Sequence, residues 1–327
     1  MKRREFMTLL IGVAAWPLTA RAQQADRKRR IGVLMGASAD EPETRARFDA
    51  FVQGLEQLGW ADGHNVQIDT LWGTEDLARL RKDATQLVAR RPDVLLAGVG
   101  ATTSSLQQAT HTVPIVFAQG LDPVGAFQIE SLAQPGNNTT GFIQLEYNLS
   151  GKWLELLKEV SPAITRVAIL REPGAAGIGQ WAVISAAATA LRVDLTPIDL
   201  HDARAIETAV STFARKPNGG LIVVVSAASL THRNLIVTLA ARHRLPTVYF
   251  NRAFVTAGGL ISYGANVIEQ YRRAAGYVDR ILKGENAGDL PVQTPTKYNL
   301  VVNLKTAKSL GLAISLPLLG RADEVIE

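Results

Sequence analysis

Val94-Leu-Leu-Ala-Gly-Val-Gly-Ala-Thr-Thr-Ser-Ser105 decides the architecture. Four consecutive apolar residues end at glycine, and the hydroxyl residues that follow open a segment with helical spacing. A short apolar run bounded this way reads as a strand buried on both faces, Val94–Ala97, followed by a helix over Thr103–Thr110. The same rhythm extends outward. Upstream, Ile31–Met35 is another buried strand, and Phe48, Phe51, Val52, Leu55 and Leu58 recur at helical spacing until Gly59 stops them. Asp40 with Glu43 reads as a capping box, with Pro42 in the first turn. Strand 66–71 and helix 77–90 complete that side. Downstream come strand 115–118, a short helix after Pro123 and a strand at 140–143. Strands alternating with helices of this length predict a parallel sheet covered on both faces.

The rhythm restarts after Gly151, with helices expected at 152–160, 178–191, 203–214 and 230–242. Strands are expected at 167–170, 194–198, 221–225 and 247–250. The chain therefore reads as α/β, with two similar lobes. Beyond them, Leu260-Ile-Ser262 reads as a crossing strand, and helix 268–282 and strand 298–302 are expected to return the chain to each lobe in turn. This assigns residues 29–145 and 252–288 to a first lobe and 146–251 and 289–320 to a second. No low-complexity linker separates them, which suits several short hinge crossings better than one tether.

At 327 residues the chain is long enough for about two domains. With no cysteine, thiolate metal sites, disulfides, cysteine nucleophiles and a lipid-modified N-terminal cysteine are excluded. The formal charge of +5 is concentrated at the start: Lys2, Arg3, Arg4 and Arg21 stand against Glu5 alone in the first 22 residues. Without them 31 basic and 29 acidic side chains remain, net +2, so a nucleic-acid partner is not expected. Residues 1–22 read as an export signal: a basic start, an apolar run from Phe6 to Leu18 and Ala20-Arg21-Ala22 before the expected cleavage. Arg3-Arg4-Glu5-Phe6-Met7 fits the twin-arginine pattern, and a general secretory signal is the alternative. Either route leads to the periplasm. The apolar run is shorter than the roughly 20 residues that span a bilayer.

No phosphate loop, HExxH, GxSxG elbow or calcium loop occurs, so neither a cofactor nor a metal nor a catalytic residue is expected. Gly98-Val-Gly100 begins like a dinucleotide fingerprint but lacks its third glycine and follows the third strand. The five histidines are scattered. In open parallel sheets, ligands sit at the carboxyl ends of the strands near the switch point. This selects Ser38, Trp72, Thr102, Thr103, Ser104, Gln119 and Asp122 in the first half and Glu172, Ser226 and Arg252 in the second. Unpaired N–H groups at the start of the Thr103 helix suit a carboxylate, and hydroxyls add donors without charge. One of those hydroxyls also suits an N-cap, and the two readings are compatible. Asp122 reads equally as a cap for the next helix, Trp72 as a packing residue and Arg252 as a solvated cation.

The sequence resembles the substrate-binding proteins of ABC importers, in the group with tryptophan- and tyrosine-type binding components. The resemblance rests on the exported start, Leu58-Gly-Trp-Ala-Asp-Gly-His-Asn-Val66, Pro114-Ile-Val-Phe117 with Asp122-Pro-Val124, and Pro135-Gly-Asn-Asn-Thr-Thr-Gly141. It continues through Gly258–Gly264, Ile281–Gly284, Leu290-Pro-Val292 and Asn303–Lys308, spanning the mature chain. It implies a type I periplasmic-binding fold of two Rossmann-like lobes with three crossings. It also implies ligand contact by Thr102, Thr103 and Ser104, and a monomer delivering a small ligand to an ABC permease. Where some relatives have an acidic turn after the third strand of the second lobe, this chain has Ser226-Ala-Ala-Ser229. Near Asn251-Arg252 it lacks the aromatic–acidic pair that the resemblance leads one to expect. Competing classes are a periplasmic enzyme, a sensory domain and a repressor of the lactose type. The last needs roughly 50–60 further N-terminal residues for its helix-turn-helix.

Overall fold

A computed structural model describes residues 28–73, 76–144 and 146–327; the expected export segment, 1–22, lies outside the described residues. The first lobe carries β1 (Arg29–Met35), β2 (Val66–Trp72), β3 (Val94–Ala97), β4 (Ile115–Gly120) and β5 (Thr139–Ile143). They form a parallel sheet in the order β2-β1-β3-β4-β5. Its helices are α1 (Pro42–Gln57), α2 (Leu77–Ala89), α3 (Gly100–Ala109) and α4 (Pro123–Phe127).

The second lobe begins with α5 (Leu149–Val160) and holds β6 (Arg166–Arg171), β7 (Asp194–Asp199), β8 (Gly219–Val223) and β9 (Thr247–Tyr249). Between and after them lie α6 (Ala175–Leu191), α7 (Ala203–Phe213), α8 (Ala227–Thr231), α9 (Arg233–Arg242) and α10 (Arg252–Thr256). The chain finishes with β10 (Ile261–Ala265), α11 (Val267–Leu282), β11 (Tyr298–Asn303), α12 (Leu304–Leu310), α13 (Leu316–Leu319) and β12 (Glu324–Ile326). The second sheet runs β12-β11-β10-β9-β8-β6-β7 and is parallel except where β11 meets β10.

The period of two in the strands sorts side chains onto the two faces of the first sheet. In β4, Val116 and Ala118 join Phe51 and Leu55 of α1 and Tyr271 and Val278 of α11. Ile115 and Phe117 of the same strand turn to Leu80 and Leu87 of α2 and Leu106 of α3. The two-lobed α/β architecture expected from the sequence is the one observed.

The course of the C-terminal third differs from the expectation. α10 and β10 belong to the second lobe, and β10 and β11 pair with each other there instead of serving separate lobes. The physical reason is that β9 pairs with β8 on one side, and without β10 its other side would be an open sheet edge with unpaired N–H and C=O groups. Only α11 and the segment after it return to the first lobe. A Cβ on Gly54 of α1 would lie 2.8 Å from Ala275 Cβ of α11, so the two helices cross in close contact. Leu290 and Val292 are buried in the first lobe, and Gln293 bridges to Phe142 beside β5. The last crossing therefore follows Gln293, not residue 288. The expected 230–242 helix is broken at His232 into α8 and α9.

Three crossings join the lobes, at 143–149, 265–267 and 293–298, and hydrogen bonds tie them together. Asn266 N donates to Lys297 O at 3.0 Å, Gln270 Nε2 donates to Ile143 O, and Arg273 reaches Thr296 Oγ1 at 3.2 Å.

Candidate functional site

The carboxyl ends of the two sheets face each other. Leu121, just after β4, packs on the core of the second lobe. Tyr147, in the first crossing, lies close enough to Asp122 for that carboxylate to help raise its phenol pKa, after the larger effect of burial. The same ring closes on Gly179 of α6, where a Cβ would come within 2.7 Å of it.

Beside the second crossing the lobes enclose a cavity of about 350 Å³. The first lobe contributes Pro42, Glu43, Ala46 and Arg47 from the first turns of α1, with Val267 and Ile268 from α11. The second contributes Phe250, Asn251 and Arg252 from the end of β9, with Asn299 of β11. Gly264, Ala265 and Asn266 of the crossing form the back. Gly264 has no side chain because a Cβ there would meet Phe250 O.

Four charges stand at this cavity. Arg252 makes a bidentate pair with Glu324 of β12, with Nε and Nη2 both 2.6 Å from its oxygens. That bond holds the Glu324 carboxyl below its ordinary range and pushes the guanidinium up. Arg252 Nη1 also lies 3.9 Å from Glu43 Oε1, and among the described residues this is the one ion pair that joins the lobes. Glu43 is held in turn by Arg47 at 3.2 Å.

Away from the cavity, the switch point of the first sheet lies between β1 and β3, and the helices that follow them begin without a side-chain cap on their N–H groups. Val99, the residue before α3, has no acceptor in its side chain. The amides of Gly100, Ala101 and Thr102 precede the first helical bond, from Thr103 N to Val99 O at 3.0 Å. No charged residue lies in that turn. In the second sheet the switch point lies between β6 and β8. α6 begins at Gly174 with no side-chain cap and no acid in its first turn.

A family model described as ABC transporter substrate binding protein matches residues 32–326. The chain belongs to that family. It is 23% identical over 305 residues to the tyrosine-binding protein of Clostridioides difficile, covering 89% of this chain and 84% of that one. A Streptococcus pneumonia ABC domain solved with L-Trp superposes with a TM-score of 0.82 at 24% identity, over 92% of this chain and all of the other. A conserved domain protein of Vibrio cholerae gives 0.81 at 26%, over 91% of this chain and 100% of its own.

Of the residues singled out from sequence in this substrate-binding protein, only Arg252 lines the cavity. Thr102 and Thr103 are buried, and both hydroxyls donate back to Val99 O, at 2.7 and 3.0 Å. Helix α3 starts at Gly100, three residues before the expected start, so these hydroxyls lie inside its first turns. Ser104 is half-buried. Asp122 accepts from Gly125 N at 3.0 Å as the cap of α4, and Ser226 accepts from Ser229 N at 3.0 Å as the cap of α8. Trp72 packs edge-on against Phe48, the centroids 5.2 Å apart, with the Arg45 guanidinium 5.8 Å from its ring. Ser38 bonds to Asp40 Oδ2 at 3.2 Å. Glu172 is exposed and reaches Ala228 N at 3.5 Å. Gln119 is 6% exposed, and its Nε2 has no protein partner.

The expected Asp40–Glu43 capping box does not form. Glu41 stands at the cap position without a side-chain bond to the helix amides, because Pro42 takes the first helical position and Glu43 turns to Arg47. Sequence reasoning missed Glu43, Arg47, Asn266, Asn299 and Tyr147 as cleft residues. The available signal was their position at the starts of α1 and α11 and beside the crossings.

Proposed function

We propose that this chain is exported to the periplasm and acts there, without catalysis, as a monomeric solute-binding component. It takes a small carboxylate, of the amino-acid or aromatic-acid class, between its lobes and passes it to an inner-membrane ABC permease. The carrying observation is the start of α3, where unpaired amides at the end of β3 lie in an uncharged, uncapped turn. A helix of ten residues places partial positive charge there, and an anion is the natural complement. Gln119, at the end of the neighbouring strand β4, adds a buried uncharged donor. The uncapped start of α6 offers the same chemistry from the other lobe. The names of the tyrosine-binding relative and of the L-Trp complex favour amino acids with large side chains. Contacts from both lobes favour a closed arrangement by as much as the ligand binds that arrangement more tightly.

A thermal-shift screen of residues 23–327 against amino acids, aromatic acids and small carboxylates tests this reading. A ligand at about 100 times its Kd adds roughly 2.7 kcal/mol of stability. Absence of any shift across the three classes contradicts it. Delivery is tested separately: deleting the gene abolishes high-affinity uptake of the solute identified, and unchanged uptake contradicts a transport role.

A further inference from the structure

We propose that the hinge-side cavity seats an uncharged, largely apolar group of the solute and that Arg252 is not the carboxylate anchor. This inference rests on the solute-binding reading above and assigns to its two chemical ends two different places.

The charges come first. Arg252 already holds a bidentate carboxylate from Glu324 and a further bond to Thr256 Oγ1 at 3.1 Å. An incoming carboxylate must displace Glu324 from a fork–fork pair of ideal type. Glu43 lies between two guanidiniums, 3.2 Å from Arg47 and 3.9 Å from Arg252, so an ammonium group meets a carboxylate that is already neutralised. Two cations and two anions cancel at the cavity, and a charged group gains nothing by losing its water there.

The walls agree. Pro42, Ala46, Phe250, Val267 and Ile268 face the space, and its volume of about 350 Å³ lies near the lower end of ligand cavities, roughly 300–1,000 Å³. The polar groups that remain are amides. Asn266 is held at both ends, accepting from Glu269 N at 2.9 Å and donating to Asn299 Oδ1 at 3.2 Å. Asn251 uses its oxygen on Ala253 N at 2.8 Å. The NH₂ groups of Asn251 and Asn299 are left as uncharged donors, suited to a hydroxyl, phenol or carbonyl oxygen. The group recognised is therefore an aromatic or branched side chain, with or without one neutral acceptor.

Calorimetric titration of residues 23–327 with L-tyrosine, L-tryptophan, L-alanine and L-glutamate provides the test. Ala46 is exposed on α1 and lines the cavity, so Ala46→Trp fills the space without removing a core contact or a cap. The variant is expected to bind tyrosine and tryptophan at least 30-fold more weakly while alanine stays within threefold. Arg252→Gln leaves Glu324 and Glu43 against Arg47 alone and is expected to weaken all four probes, but by well under the 100-fold that loss of a carboxylate anchor would cost. If Ala46→Trp does not fold, Ala46→Leu gives a graded version, with an intermediate loss for the aromatic probes alone. Unchanged aromatic affinity in the filled variant overturns the inference while leaving solute binding intact. A loss above 100-fold for all probes in Arg252→Gln, or a wild-type preference for glutamate, also overturns it. Binding of none of the four by the wild type also overturns the inference, while the solute-binding reading stands or falls by the thermal-shift screen across all three classes.

Discussion

The two lobes prepare the same corner of the same fold in different ways. In the first lobe, α1 carries Glu41 and Glu43 at its start and faces an incoming anion with negative charge, whereas α3 begins with glycine, alanine and inward-turned threonines. In the second, α6 starts unguarded at Gly174, but α8 is closed by Ser226, whose Oγ accepts from Ser229 N and bonds to Ser229 Oγ at 2.7 Å. Each switch point thus has one helix start open to an anion and one that is not. The supports differ as well. The turn before α3 is held from outside by Tyr271 of α11, whose hydroxyl donates to Gly98 O at 2.8 Å. The turn before α8 is held by Gln180 of α6, which bonds both the N–H and the carbonyl of Val225, at 2.9 and 3.1 Å. One support belongs to a helix that starts at the hinge, the other to a helix internal to its lobe.

This contrast has consequences that grade by size. Gln180→Leu leaves two buried backbone groups of Val225 unpaired and is expected to cost about 2–4 kcal/mol by chemical denaturation, with the second lobe losing hydrogen-exchange protection first. A cost below about 1 kcal/mol would mean that the β8–α8 turn does not depend on this side chain.

Next in size, and decisive for the difference between helix starts, is Ala101→Glu. A carboxylate in the first turn of α3 complements the helix dipole by about 0.3–1 kcal/mol, so the ligand-free protein should melt slightly higher. It also occupies the proposed anion corner, so L-tyrosine affinity should fall about 100-fold. Ala227→Glu at the capped start of α8 should leave affinity within threefold. Equal effects from the two substitutions would erase the distinction.

Tyr271→Phe removes one hydrogen bond and leaves Gly98 O unpaired, an expected loss of about 1–2 kcal/mol. Burial pushes the Tyr271 pKa up to about 12, above the ordinary value near 10. Its contribution is therefore complete below pH 10 and fades as pH rises toward 12. The gap between wild type and Tyr271→Phe should narrow over that interval, and a gap that stays constant would contradict the assignment.

The smallest effect belongs to Glu324→Gln, which weakens a partly exposed pair by about 0.5–1 kcal/mol. Arg252 lowers the Glu324 pKa, so the stabilisation is present above the ordinary carboxylate value near 4.3 and is lost as pH falls through the depressed one. Melting curves of the two proteins should converge on acidification, and persistent separation at low pH would contradict the pairing.

Much of the fold was legible because buried parallel strands announce themselves. Ile31–Met35, Val94–Ala97 and Leu221–Val223 are apolar runs that no surface element needs, and Gly36 and Gly98 mark where the first two stop. The C-terminal third was less legible because β10 and β11 acquire meaning only from pairing beside the short strand β9, a tertiary fact invisible to periodicity. At the cleft, the corner after β3 could be found from the strand-end rule, yet the behaviour of its hydroxyls could not. Thr102 and Thr103 turn inward because α3 begins three residues early, at Gly100. Arg252 was recognisable as a cleft residue, but Glu324, its partner 72 positions away, lies on a three-residue strand that carries no pattern.

Calorimetry comparing L-tyrosine with L-tyrosinamide tests the central claim most directly, because the amide replaces the charged carboxylate with a neutral carboxamide of similar shape and keeps the phenol side chain. The account predicts one site for tyrosine and binding at least 100-fold weaker for the amide. Equal affinity for the two would contradict an anion corner between the lobes.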